Sequence, residues 1–127
     1  MADEIVTRTR RYSLGDDGIL RTAVLPDVEE TMADAIENVR AMKSLVKGRR
    51  YPVLADMRLF KGVDREVRAY YAGPETTGVV SAVAIIVRSL AQRVMGNWFI
   101  TWNKPQFPSR LFTSQDEAMK WLDGFRQ

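Results

Sequence analysis

Val79-Val-Ser-Ala-Val-Ala-Ile-Ile-Val87, Leu90-Ala-Gln-Arg-Val-Met-Gly-Asn-Trp-Phe-Ile-Thr-Trp102 and Pro108-Ser-Arg-Leu-Phe-Thr-Ser-Gln-Asp-Glu-Ala-Met-Lys-Trp-Leu122 are the segments that decide the fold class. The first is apolar on both of its alternating faces, as in a central strand covered on two sides. In the second, Leu90, Ala91, Val94, Met95, Trp98, Phe99 and Trp102 recur at helical spacing and make an unusually aromatic helix face. That face reads either as a core stripe or as an exposed patch for self-association or a ligand. The third predicts a short strand over residues 110–112, then Ser114-Gln-Asp-Glu117 as a capping box ahead of the apolar positions Ala118, Trp121, Leu122 and Phe125. Strand, helix, strand and capped helix is the rhythm of an α/β domain.

The same rhythm extends upstream. Residues 5–12 are rich in β-branched and alternating side chains, and Gly15-Asp-Asp-Gly18 separates them from residues 19–25, which predicts a hairpin. The alternation assigns Arg8 and Arg10 to an exposed face, read as a solvated edge blunted by charge ahead of the alternative, a face that touches anions. Asp27, with Glu30 three residues later, predicts the capped start of a long helix. Val28, Met32, Ala35, Ile36, Val39, Met42 and Val46 form its stripe, with Glu29, Asp34, Glu37, Arg40 and Lys43 away from it. Gly48 ends this helix, and Lys47, Arg49 and Arg50 form a basic cluster that suits a helix C-terminus and also has the charge to attract phosphate or an acidic partner. Tyr51-Pro-Val-Leu-Ala-Asp56 predicts an interior strand, Asp64 a cap for a short helix over residues 65–71, and Gly73-Pro74 a break before one further helical turn. The expected fold is α/β: a mixed sheet of about five strands, an N-terminal hairpin followed by alternating helices and strands, with about four helices.

The chain has 127 residues, which fits one domain spanning residues 1–127. With 46% hydrophobic and 28% charged residues it matches a folded globular chain. There is no cysteine and no histidine, so disulfides, thiolate nucleophiles, imidazole bases and Cys or His metal sites are all excluded. Nineteen basic residues interspersed with sixteen acidic ones make a soluble surface, not a nucleic-acid footprint. The first residues lack a signal-peptide pattern and no apolar stretch approaches the ~20 residues of a membrane span, so a cytoplasmic location without membrane insertion is expected. The glycines are scattered and show no phosphate-binding pattern. Asp56 and Asp64 bracket a loop at a strand end, where open α/β sheets bind ligands, and they are the candidates for carboxylate or Mg²⁺ chemistry. Asp64 also has the simpler role of a helix cap.

Leu54-Ala-Asp56 leading to Gly62-Val-Asp64 and a helix, within this element order, resembles the STAS domains, the anti-sigma-factor-antagonist group that includes SpoIIAA, and their SEC14-like relatives. Gly96-Asn-Trp-Phe99, Asn103-Lys-Pro105, Pro108-Ser-Arg-Leu-Phe112 and Glu117-Ala-Met-Lys-Trp-Leu122 are similar to those of a bacterial set of small, mostly uncharacterised proteins of this type. The resemblance covers about residues 19–124. It implies a regulatory or protein-interaction domain whose partner surface is the loop and helix start at Asp56, Asp64, Arg65 and Glu66. The phosphoacceptor motif of the antagonists, Asp-Ser-Ser-Gly, maps onto Asp64, Arg65, Glu66 and Val67, so both serines are missing. The expectation is therefore a non-enzymatic domain without the phosphorylation switch, with no cofactor and no metal. Its partner would be another protein or a second copy of itself, as a homodimer through Leu90, Val94, Trp98, Phe99 and Trp102. The SEC14-like relationship implies the alternative, a small apolar or lipid-like ligand on the same face. An enzyme built on Asp56 and Asp64 stands third.

Overall fold

Alternation of large apolar and small side chains builds one sheet with two buried faces, and the computed structural model describes it over residues 3–126. Strands β1 (Asp3–Val6), β2 (Arg10–Leu14), β3 (Leu20–Val24), β4 (Tyr51–Asp56), β5 (Val80–Ile86) and β6 (Ser109–Phe112) lie in sequence order across it. β1 to β3 run antiparallel to their neighbours, and β3 to β6 are parallel. Parallel neighbours need crossovers. These are α1 (Met32–Val46), then α2 (Arg65–Tyr71) with the single turn α3 (Pro74–Thr77), then α4 (Leu90–Trp98), which continues as a π-helical turn over Phe99–Asn103. α5 (Gln115–Asp123) follows the last strand.

The α/β class and the mixed sheet are as the sequence predicts, with one difference in count. Residues 5–12 are two strands instead of one, because Thr7 turns the chain: its hydroxyl accepts from the Arg10 and Thr9 amides, and its own amide donates to the Arg10 carbonyl at 2.8 Å. The sheet therefore has six strands, and the turn α3 is the further helical turn expected after Gly73-Pro74.

The two faces are covered unequally. One carries Tyr12, Leu20, Val53 and Val83 against Val39 and Met42 of α1. The other carries Ile19, Leu54, Ala82, Ala84 and Ile86 under Ala118 and Leu122 of α5. Alanines at two adjacent outward positions of β5 leave room for that helix to sit close.

The start of α1 differs from the sequence expectation. Asp27 has φ 57°, in the left-handed region, whereas an N-cap residue is extended. The cap is Thr31, which accepts from the Asp34 amide while Asp34 accepts from the Thr31 amide at 2.8 Å. Asp34 is thus buried at the cap, not on the outer face, and Glu30 is released to turn inward. At the other end Lys47 (φ 51°) and Gly48 (φ 83°) close the helix in left-handed geometry, as its glycine predicts. At α5, Ser114 accepts from the Glu117 amide, the predicted first half of the capping box.

Candidate functional site

The helices α1, α2 and α4 do not close fully onto the sheet. Between them lies a cavity of about 250 Å³. Its floor is the sheet face, with Tyr12 and Thr22 beside Val53, Ala55, Val83 and Ile85. Tyr12 and Thr22 are direct cross-strand partners on β2 and β3, and Thr22 also pairs with Ala55 of β4. α1 contributes Met42, α2 contributes Arg68 and Tyr71, and α4 with its π turn contributes Gln92, Met95 and Phe99. The lining is mostly apolar, with the polar groups gathered towards β2 and β3, which is the usual composition of a small-molecule site.

The main correction to the sequence reading is Arg10. It is 7% exposed, not solvated, and it lines the cavity. Glu30 holds it as a two-pronged pair, with Nε donating to Oε2 at 2.7 Å and Nη2 to Oε1 at 2.7 Å. Oε2 also accepts from Thr9 Oγ1 at 2.7 Å and Asn38 Nδ2 at 3.0 Å, and Oε1 from Tyr71 Oη at 3.2 Å. The Tyr71 ring stands 4.5 Å from the guanidinium carbon and that of Phe60 stands 6.0 Å away. Burial alone would raise the Glu30 carboxyl, but Arg10, by hydrogen bond and charge, with Thr9 and Tyr71, holds it below the ordinary range. Burial would lower Arg10, yet the acidic groups of Tyr12, Tyr71 and Glu30 keep it above its ordinary value. The pair is therefore ionised at neutral pH, fully matched and neutral as a unit.

The floor also carries groups that are not matched. Among the described residues, the buried side-chain polar atoms without a hydrogen-bond partner are Tyr12 Oη, Thr22 Oγ1, Thr76 Oγ1 and Ser81 Oγ, and the first three belong to cavity-lining residues. Burial pushes the Tyr12 hydroxyl up, against the opposing influence of Arg10 and Thr22, so it stays protonated and can donate.

α4 is held in place by two specific contacts. Gln92 is buried; its Nε2 donates to the Arg58 carbonyl at 2.7 Å and its Oε1 accepts from the Arg88 amide at 2.8 Å, tying the helix start to the loop after β4. Gly96 faces Leu111 of β6, whose Cδ2 would lie 2.6 Å from an added Cβ, so any larger residue there requires the end of the Leu111 side chain to shift.

The residues singled out from sequence divide into two places. Asp56 ends β4 and is engaged by Arg58, which donates through Nε at 2.9 Å and Nη2 at 2.7 Å and holds the Asp56 carboxyl below its ordinary range. Asp64 occupies the N-cap position of α2 without a side-chain capping bond, correcting that expectation, and Arg65 and Glu66 are exposed in the first turn. None of these four lines the cavity, although Gly62, Val63 and Arg68 around them do. Among the described residues no three His, Cys, Asp or Glu side chains gather as a metal site. On α4 and its π-helical turn, Leu90 is 78% exposed, Val94 39%, Trp98 40% and Trp102 65%, so the aromatic stripe is not a core face. Trp98 and Trp102 stack at 5.2 Å, while Trp98 and Phe99 also reach the cavity. Sequence reasoning missed Tyr12, Thr22, Arg10, Glu30 and Tyr71. The parity of Arg10, Tyr12 and Leu14 was a usable signal, since it places all three on one face with Tyr12.

Comparison with known proteins agrees with this architecture. A crystal structure of an uncharacterised protein of the DUF3478 family from Shewanella loihica PV-4, described as having a SpoIIAA-like fold, matches with TM-score 0.63 and 16% identity over 96% of this chain and 92% of that one. This shows the SpoIIAA-like fold expected from the resemblance. A crystal structure of a protein of unknown function from Arthrobacter sp. FB24 is 33% identical over 87% of this chain and 90% of that one, with TM-score 0.32. No curated protein matches the chain. Among the described residues no helix is long and apolar enough to cross a membrane. Residues 12–126 match the family described as "Domain of unknown function (DUF7793)", and the chain belongs to that family.

Proposed function

We propose that this chain is a non-enzymatic binding domain that takes a small, mostly apolar molecule into the space between its sheet and helices α1, α2 and α4. The observation that carries this reading is the 250 Å³ cavity with its mostly apolar lining. A cavity of ~150 Å³ already accommodates benzene, while pockets for drug-sized ligands begin near ~300 Å³. The space thus suits a single substituted ring or a short chain, and it is too small for the acyl chains of a bilayer lipid. The lack of histidine and cysteine, together with the engagement of Asp56 by Arg58, favours binding over catalysis. Native mass spectrometry of the purified protein and titration with small aromatic compounds test the reading. Saturable binding with a change in tryptophan fluorescence is expected, and no binding of any such compound would overturn it.

A second reading, contact with a protein partner or a second copy of the chain, is favoured by the exposed stack of Trp98 on Trp102. Exposed aromatics of this size are common anchors at interfaces. The location is taken to be cytoplasmic, in keeping with a chain that contains no cysteine. Sedimentation of the wild type and Trp98→Ala over a wide concentration range decides the matter: a monomer at all concentrations, unchanged by the substitution, removes self-association.

A further inference from the structure

We infer that the cavity takes a small amphipathic monocarboxylate, with its apolar body inside and its carboxylate at the mouth on the Arg68 guanidinium. This rests on the cavity being a ligand site, and goes further by naming the ligand's charge and orientation. Among the lining residues Val63, Arg68 and Met95 are half-buried and Trp98 is 40% exposed, so the space opens to solvent between α2, the loop before it and α4. Arg68 stands where the apolar interior meets water. Among the described residues no aspartate or glutamate lines the cavity.

The charge of Arg68 is not answered by the protein. Among the described residues no carboxylate forms an ion pair with it, and its side chain makes one hydrogen bond, from Nε to the neutral Asn103 Oδ1 at 3.2 Å. The cations on the neighbouring loop are engaged: Arg58 by Asp56 at 2.7 Å and Lys61 by Asp27 at 3.6 Å. Deeper in, Arg10 is neutralised by both oxygens of Glu30. An anion drawn wholly inside would therefore be a buried charge with no free counter-charge, which is strongly unfavourable. At the mouth the desolvation is smaller and the counter-charge is present. With Nε spent on Asn103, the two Nη groups remain, and their paired donors match the two oxygens of a carboxylate. One guanidinium also balances one negative charge, which fits a monocarboxylate better than a phosphate monoester with nearly two.

Three compounds with the same body and different charge separate the outcomes: hydrocinnamate, its amide hydrocinnamamide and the matching phenylpropylammonium ion, titrated by calorimetry against wild type, Arg68→Gln and Arg68→Met. The glutamine keeps a donor for Asn103 and the methionine keeps the apolar stem; the thermal midpoint verifies that each variant folds. The wild type should bind the carboxylate about tenfold more tightly than the amide, and the ammonium ion most weakly, because a charge-assisted pair outweighs a neutral hydrogen bond. In both variants the ratio of carboxylate to amide affinity should fall to about one, chiefly through loss of carboxylate binding. An amide bound as tightly as the carboxylate by the wild type, or a ratio unchanged in the variants, overturns the inference while leaving the cavity reading intact. Failure of all three to bind the wild type overturns the ligand-site reading itself.

Discussion

Glu30→Gln is the most informative single substitution, because it removes a charge and almost no volume. Its carboxylate accepts five hydrogen bonds, two of them from Arg10 at 2.7 Å. The neutral donors lose little: Asn38 Nδ2 already reaches Thr9 Oγ1 and Tyr71 Oη, both at 3.0 Å. Arg10 loses its counter-charge while remaining buried, and an arginine cannot escape by giving up its proton. Breaking a buried pair in this way costs about 3–5 kcal/mol. For 127 residues the unfolding entropy is ~0.27 kcal/mol/K at ~2.1 cal/mol/K per residue, so the midpoint should fall by about 11–19 °C.

Arg10→Met should be milder, because Glu30 can neutralise itself by binding a proton and keeps Thr9, Asn38 and Tyr71 as donors. The two substitutions also differ in pH dependence. In the wild type the Glu30 carboxyl is held below its ordinary range, so its contribution is present above the unfolded value near ~4.3 and is lost as pH falls. Without Arg10, burial is the dominant influence and raises the carboxyl, so Arg10→Met gains on wild type between pH 7 and 5. Urea unfolding at several pH values measures both. A loss below 1 kcal/mol for Glu30→Gln, or equal losses with parallel pH profiles, would refute the argument.

Acid unfolding should begin near the ordinary carboxylate range, because Glu30, Asp34, Asp17 and Asp56 are all held down by arginines; Asp17, beside Arg21, is pulled to about 2, which an NMR titration reads directly. Gln92→Leu strips a buried amide from the Arg58 carbonyl and the Arg88 amide and should cost about 1–3 kcal/mol, with faster hydrogen exchange in α4 than elsewhere. Gly96→Ala places a methyl against the mobile end of Leu111, an overpacking of about 1–3 kcal/mol set against ~1 kcal/mol of improved helix propensity. The net loss should reach at most about 2 kcal/mol, measured by thermal unfolding, and a stabilised variant would show that α4 is free to move off β6.

The parts of this fold that are legible in sequence are those where one local rule acts alone. The apolar run from Val80 is β5, and the helix over Arg65–Tyr71 has the bounds that Asp64 and Gly73 mark. The start of α1 is where two rules compete. Asp27 and Glu30 carry the spacing of a capping box, and so do Thr31 and Asp34; the chain uses the second pair because the first acid is needed by Arg10. The candidate site was hidden for the same reason. A charged residue in an alternating strand reads as solvent-facing, and only its partner, twenty residues away, reverses that reading. The aromatic face of α4 was ambiguous because periodicity gives the stripe but not which side of the helix meets the sheet.

A buried ion pair is a poor source of stability, so the presence of Arg10 and Glu30 asks for another explanation. Well-packed apolar residues of similar volume are often as stable or more so, by 1–4 kcal/mol in other proteins. What the pair does here is geometric. It joins β2 to the segment before α1 and, through Tyr71 and Asn38, to α2 and α1 themselves, so the elements that border the cavity share one rigid polar joint. An apolar replacement has no directional bonds and is free to collapse into the empty space beside it. Arg10→Met/Glu30→Leu should therefore unfold at or above the wild-type midpoint and yet bind the small aromatic compounds that titrate the wild type at least tenfold more weakly, with calorimetry and thermal unfolding performed on the same sample. If the double variant binds as the wild type does, the joint does not shape the cavity; if it is as unstable as Glu30→Gln, the pair is a stabilising element after all.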